Sequence, residues 1–245
     1  MIQIYNTLLF QPLLNLLVYL YDHIGDIGIC IIIVTILIRI ILFYPSYQAL
    51  KSQRALQELQ PKIKDLQNKH KGNKEEQTKA LMGFYKENKV NPFSSCLPML
   101  IQLPIIFALY GVFRSGLSNI NGDDLYSFIK APENINTLFL GFLNMNETNI
   151  FLAVLAGALQ FIQSKLMLAK TEKNKNQTKG KAPQGLADMS GILGKQMLYL
   201  MPAMTVFIAM SLPSGLALYW VTTTLFAIGQ QYVIMRPRKD TVNKK

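Results

Sequence analysis

IGICIIIVTILIRIILFY, residues 27–44, decides what kind of chain this is: an apolar run interrupted only by Thr35 and Arg39. At 1.5 Å per helical residue, about 18 to 20 such residues cross a hydrocarbon core about 30 Å thick. Four more apolar segments follow, Leu97–Phe113, Ile150–Ala169, Met197–Leu212 and Ser214–Met235. The fourth of the five is short, and only Pro213 separates it from the fifth. That pair therefore reads as a tight helical hairpin turning at Leu212–Gly215. One buried hairpin that never spans is the alternative, but the lengths favour crossing.

Composition agrees. Half of the 245 residues are hydrophobic and 16% are charged, against about 25% charged in ordinary globular domains. Mean hydropathy is +0.21, yet the net charge is +11 and the pI is 9.6. A chain both apolar and basic is not intrinsically disordered, and a membrane protein with basic loops accounts for both properties without a DNA partner. Two cysteines are too few for a disulfide scaffold. Cys30 and Cys96 sit near opposite ends of their spans, too far apart to pair, and read as free thiols. His23 and His70 are distant from each other, which excludes a zinc-protease motif. No phosphate-binding loop occurs, and Gly191–Lys195 is too short to imitate one. No catalytic residue, metal or cofactor is expected, and the chain does not read as an enzyme.

The basic residues set the orientation. Ten lie between Pro45 and Pro92, six between Lys170 and Lys195, and five from Arg236 onward, so 21 of 25 fall in alternate loops. Residues 1–26 hold no Lys or Arg, and Ser115–Asn149 holds only Lys130 beside four acids. The positive-inside rule then places the N-terminus outside and the C-terminus in the cytoplasm. The predicted fold is all-α: a polytopic membrane protein with a five-helix transmembrane core, a cytoplasmic helical hairpin and an N-terminal amphipathic interfacial helix. Its segments are the outer-face helix 1–26, first span 27–44, hairpin 45–92, second span 93–114 and outer loop 115–149. The third span 150–169, flexible loop 170–195, fourth span 196–212, fifth span 214–235 and basic tail 236–245 follow.

Residues 1–26 lack the basic start of a signal peptide. From Pro12, Gln11, Asn15 and Asp22 share one face while leucines cover most of the rest. This gives a helix lying in the outer interface and ending near Gly25, or equally an ordinary helix packed on the bundle. In the cytoplasmic segment, Leu56, Leu59, Ile63 and Leu66 recur at helical spacing. Leu81, Phe84 and Tyr85 do so again after a break at Gly72–Asn73. Asn73 with Glu76 forms a capping-box pattern for the second arm. The basic excess here suits a solvated surface, or contact with anionic headgroups or ribosomal RNA.

Arg39 is the costly residue. A charge near mid-span costs roughly 2.5–3.5 kcal/mol on insertion scales, and such residues usually face a wet cavity or a partner. Snorkelling to the cytoplasmic interface is the simpler explanation. No span contains Asp or Glu, so no internal ion pair is on offer. Thr35 lies one turn above Arg39 on the same face. Gln102, Gln160, Gln163 and the Thr222–Thr224 run add polar groups on other spans. Each could serve helix–helix hydrogen bonding alone; together with an uncompensated arginine they suggest a hydrated groove.

The motifs resemble the YidC/Oxa/Alb family of membrane protein insertases over nearly the whole chain. The strongest piece is Lys89–Pro98 (KVNPFSSCLP) running into Leu100–Tyr110 (LIQLPIIFALY). Supporting pieces are Thr35…Arg39, Leu59–Ile63 (LQPKI) and Pro213–Trp220 (PSGLALYW). One departure is that Pro45 comes six positions after Arg39, where the family's proline usually comes five positions after its arginine. The resemblance implies a five-helix core with a hydrophilic groove open to cytoplasm and lipid, in a short bacterial form without the large periplasmic domain. It further implies an energy-independent insertase and chaperone of the bacterial inner membrane, acting as a monomer. Its partners would be nascent membrane protein clients and membrane lipids, with the ribosome and Sec translocon as candidates. The client-binding groove would comprise Arg39, Thr35, Gln102, Gln160, Gln163, Tyr219, Trp220 and Thr223. Leu103 and Ile106 would form an apolar slide toward lipid; for Tyr219 and Trp220, plain packing or interfacial anchoring is the alternative. Two rival classes stand beside it: a small transporter with a cation-lined site, and an assembly factor that only binds helices laterally.

Overall fold

A computed structural model of the chain describes residues 2–70, 72–91, 97–114, 124–130, 132, 135–172 and 186–235. The described elements run α1 (Ile2–Tyr5), a π-helical turn (Asn6–Phe10), α2 (Gln11–Ile24), α3 (Ile27–Ile41), α4 (Phe43–Lys69), α5 (Lys74–Glu87) and α6 (Leu97–Arg114). They continue through β1 (Leu138–Phe139), β2 (Leu143–Asn144), α7 (Ile150–Glu172), α8 (Leu186–Ala209) and α9 (Ser214–Met235). One departure from the all-α expectation is the antiparallel β1–β2 hairpin. Leu140 and Gly141 turn it with positive φ at both positions, the backbone shape that matches the twist of a tight hairpin.

The five comparable spans expected from the sequence resolve unequally. Among the described residues, Ile150–Met167 alone is long and apolar enough to cross a membrane as one straight helix. A second candidate exists only as the bent pair α3–α4, whose axes differ by 64°, while Leu100–Phe113 and Leu198–Ala209 are shorter apolar helices. The bend has a local cause. Pro45 has no N–H to donate to the Ile41 carbonyl, and its ring would clash there, so α3 cannot continue past Ile41. In the first turn of the new helix α4 the missing N–H costs nothing. The first apolar helix thus ends three residues before Tyr44.

The N-terminal helix starts at Ile2 rather than Pro12, and α2 is packed into the bundle. Leu14, Leu17 and Val18 join Ile27, Cys30 and Ile31 of α3 and Ile105, Leu109, Val112 and Phe113 of α6 in the main core. Asn15, placed by its spacing on a polar face, is 1% exposed. Its Nδ2 donates to the carbonyls of Gln11 (2.7 Å) and Asp124 (3.0 Å), and its Oδ1 accepts from Tyr126 N (2.7 Å). A short buried amide thus fastens residues 124–126 to α2, replacing their water contacts bond for bond. Gly25, at φ 75°, ends α2, and Asp26 caps α3 through Gly28 N and Ile29 N.

Elsewhere close approach decides the packing. A Cβ on Gly215 would fall 2.2 Å from the Phe113 ring, and one on Gly157 2.2 Å from Val206. Glycine at these positions lets α9 meet α6 and α7 meet α8. The turn into α9 covers residues 210–213, two residues earlier than the expected Leu212–Gly215, and Ser214 is already the first helical residue. In the hairpin α4–α5, Asn73 accepts from Glu75 N and Glu76 N, but the reciprocal half of the capping box is missing. Asn73 N donates to His70 O, and the Glu76 carboxylate lies 3.7 Å from His70 Nδ1 instead. Cys30 is buried and unpaired. Of the expected loop 170–195, residues 170–172 continue α7 and 186–195 already belong to α8. Residues 173–185, Cys96 with the centre of the Lys89–Pro98 motif, and the 236–245 tail lie outside the described residues.

Candidate functional site

Arg39 occupies the last turn of α3, just before the bend. A cation there is favoured by the partial negative charge of the helix C-terminus, which lowers part of its burial cost. Its nearest polar partner comes from another helix: Arg39 Nη2 donates to Gln102 Oε1 of α6 at 2.9 Å. Gln102 Nε2 in turn donates to the Tyr219 hydroxyl of α9. Three helices that are far apart in sequence therefore meet in a chain of guanidinium, amide and phenol. Arg39 and Gln102 are half-buried, and Tyr219 is 2% exposed. The described ion pairs are Arg54–Glu58 and His70–Glu76. Among the described residues no carboxylate reaches Arg39, whose partner is a neutral amide oxygen.

The other predicted residues are distributed unevenly around this chain. Thr35 is buried, and its hydroxyl donates to Ile31 O at 2.6 Å within its own helix. Threonine in a helix readily bonds back to the preceding turn, so sharing a face with Arg39 does not bring Thr35 into the network. In the threonine run, Thr222 and Thr224 likewise donate to Leu218 O and Trp220 O. Thr223 differs: it faces the Tyr219 hydroxyl one turn away, yet its buried Oγ1 has no hydrogen bond of normal geometry. Gln160 and Gln163 are half-buried on α7, with no hydrogen bond linking them to Arg39, Gln102 or Tyr219. Trp220 is half-buried. Leu103 is open, whereas Ile106 packs on the core. The open apolar stripe of α6 is Leu100, Leu103 and Phe107, at helical spacing.

A second polar layer, which the sequence analysis did not single out, lies where α4 meets the ends of α7 and α9. Arg54 Nη1 donates to Ile234 O (3.1 Å), at the C-terminus of α9, while its Nε donates to Glu58. Gln57 Nε2 donates to Met167 O (2.8 Å) on α7. Gln230 Nε2 donates to Phe43 O (3.3 Å), beside the α3–α4 bend. The carbonyl oxygens of Gln57 and Gln231 are buried without partners. The only signal in the sequence was a pair of glutamines, Gln230–Gln231, inside an otherwise apolar segment. Which carbonyls they and Arg54 would meet depends on a bend angle that periodicity does not express. Among the described residues no group of His, Cys, Asp and Glu is arranged to hold a metal ion.

Comparison with known proteins agrees with the motifs. The profile of the family described as 60Kd inner membrane protein matches residues 19–242. The chain is 38% identical over 233 residues to a protein of Fusobacterium nucleatum named membrane protein insertase YidC, covering 95% of this chain and 97% of that one. A Clostridium perfringens protein of the same name is 36% identical over 218 residues, 89% of this chain and 82% of that one. A Pelobacter propionicus protein of the same name is 32% identical over 234 residues; 96% of this chain matches 40% of that longer relative.

Proposed function

This chain belongs to the 60Kd inner membrane protein family, a family of membrane protein insertases and chaperones and not of enzymes, and from that premise we propose how its own residues do the work. The client is a small membrane protein with a short, modestly acidic segment destined for the outer side. That segment enters from the cytoplasm and is held transiently by Arg39, with Gln102, Tyr219 and Thr223 beside it. The polar groups keep this space hydrated, so the client segment crosses less hydrocarbon and its desolvation penalty falls. Its apolar helix then leaves for lipid along exposed side chains such as Leu103. No nucleotide hydrolysis is involved.

The observation that carries this reading is the pairing of Arg39. A half-buried guanidinium held by a neutral amide keeps its full charge available, whereas an aspartate or glutamate partner would have cancelled it. Attraction between unit charges about 4 Å apart is about 4 kcal/mol at an effective dielectric of 20. An arriving carboxylate can draw on that before screening and dehydration reduce it.

In the same proposal α3, α6, α7, α8 and α9 are the five spans, with the N-terminus outside and the α4–α5 hairpin in the cytoplasm. The 21 basic residues in alternate segments support that orientation. The 15 residues of α3 give about 22 Å of helix, short of a full core. A short span is accommodated by local thinning of the bilayer at modest cost, which also shortens the client's path. The hairpin receives clients, and the ribosome and Sec translocon are its candidate partners.

Insertion of a purified single-span client into proteoliposomes tests the reading. Arg39→Ala should slow an acidic-tailed client and spare a neutral-tailed one, while Arg39→Lys should retain most activity, because charge and not a bidentate fork is required. Full activity of Arg39→Ala with both tails removes the electrostatic role.

A further inference from the structure

The β1–β2 hairpin presents two large apolar side chains outward from a backbone that is pinned on both sides. Phe139 is turned inward, its ring occupying the space beside Gly28 where a Cβ would stand 2.2 Å away. Leu140 N donates to Asp26 Oδ2 at 2.8 Å, tying the turn to the residue that caps α3. Beyond the second strand Met145 is fully buried and accepts from Gly215 N (3.0 Å), and Glu147 O accepts from Ser214 N (2.7 Å). The turn is therefore held between the first turns of α3 and α9. Yet Leu140 is 59% and Phe142 72% exposed, side by side across Gly141. A loop tip in water is ordinarily made of polar residues, and two fixed apolar side chains there are costly unless something apolar covers them.

The occupant follows from what the hairpin adjoins. Eight residues beyond Phe142 the chain enters α7, the helix that is long and apolar enough to cross a membrane, and its first residues Ile150 and Phe151 are 56% and 80% exposed. In the spanning topology proposed above the exposed apolar face of α7 meets lipid, and the hairpin lies at the N-terminal end of that helix. We propose that Leu140 and Phe142 insert into the outer leaflet as a two-residue anchor, covered by lipid acyl chains. The anchor tethers the outer ends of α3 and α9 to the membrane through Asp26, Met145 and Glu147. It rests on the spanning topology proposed above.

The test uses the full chain with Cys30→Ala and Cys96→Ala, reconstituted in phosphatidylcholine–phosphatidylglycerol vesicles. A single cysteine, Phe142→Cys or in a second protein Val154→Cys, carries an environment-sensitive fluorophore. Quenching is by lipids bearing a nitroxide near the headgroup, or by aqueous iodide. The anchor predicts loss of emission at position 142 with nitroxide lipid and little loss with iodide. Quenching there by iodide alone, while position 154 is quenched by lipid, overturns the anchor and leaves the topology standing. Shielding of position 142 from both quenchers means a protein covers the tip, and also overturns it. Failure of lipid to quench position 154 overturns the spanning of α7, and the anchor with it.

Discussion

Replacing Gln102 separates the two jobs that its side chain does, holding the site together and leaving Arg39 charged. Gln102→Leu removes both its bonds, to Arg39 at 2.9 Å and to Tyr219. A hydrogen bond to a charged group contributes about 1.5–3 kcal/mol and a neutral one about 0.5–1.5 kcal/mol. Arg39 is only half-buried, so water recovers part of this and the net loss should be about 1–3 kcal/mol. Gln102→Glu instead places a carboxylate against the guanidinium, which holds it ionised. After the same discount for exposure, that pair should stabilise the fold by about 1 kcal/mol or leave it unchanged. Insertion should follow the opposite order. With Arg39 neutralised internally, an acidic client tail loses about 1–2 kcal/mol of attraction, a five- to thirty-fold slower insertion. With Gln102→Leu the charge persists, so the acidic-tailed client should slow less than with Gln102→Glu, and whatever is lost through the drier site should be shared by the neutral-tailed client. Thermal unfolding in detergent and proteoliposome insertion of acidic- and neutral-tailed versions of one client measure both. If Gln102→Glu inserts the acidic-tailed client at the parent rate, or slows both clients equally, the free charge of Arg39 is not what the client uses.

Other expectations follow from the bonds that hold the bundle. Asn15→Leu should lower stability by about 2–4 kcal/mol, because it orphans the Tyr126 N–H and the Asp124 carbonyl at a residue only 1% exposed. An unchanged melting temperature would show that water takes over both. Gly28→Ala forces a Cβ into the Phe139 ring and should cost about 1–3 kcal/mol; Phe139→Ala in the same chain should recover the overpacking part of that loss. Arg54→Ala breaks the contact with Ile234 O. Amide hydrogen exchange should then rise in α4 and the last turn of α9 while α3 is unaffected, and uniform exchange across the chain would refute a local latch.

Much of this was legible along the chain. Five apolar segments, the alternation of basic and non-basic loops, the breaks at Gly25, Gly72 and Pro213, and the isolation of Arg39 are all one-dimensional features. So is the absence of any acid in the apolar segments, which already leaves the arginine without an ion-pair partner. The site itself was legible only in part. Gln102 and Thr223 could be nominated as polar groups in apolar helices, but so could Thr35, Gln160 and Gln163, and Tyr219 entered only through the family resemblance. Nothing in their spacing distinguishes a hydroxyl bonded to its own helix from one facing a neighbour. Asn15 shows the same limit: an amphipathic pattern marks it as solvent-facing, and residues 124–126, more than a hundred positions away, make it a buried clamp.

What the sequence determined by itself is what depends on local chemistry: that apolar helices build the chain, which way the charge divides, and that Arg39 has no acid to pair with in any apolar segment. Even the α3–α4 bend belongs here in origin, since Pro45 lacks the N–H that would have continued α3. The tertiary structure decided what depends on distance between helices. It joined Arg39 to Gln102 and Tyr219, turned Thr35 inward to its own backbone, and pinned an apolar hairpin tip between α3 and α9. A hydrogen bond acts over about 3 Å, and whether two polar groups in different helices come that close is set by bend angles and glycine contacts rather than by spacing in the chain.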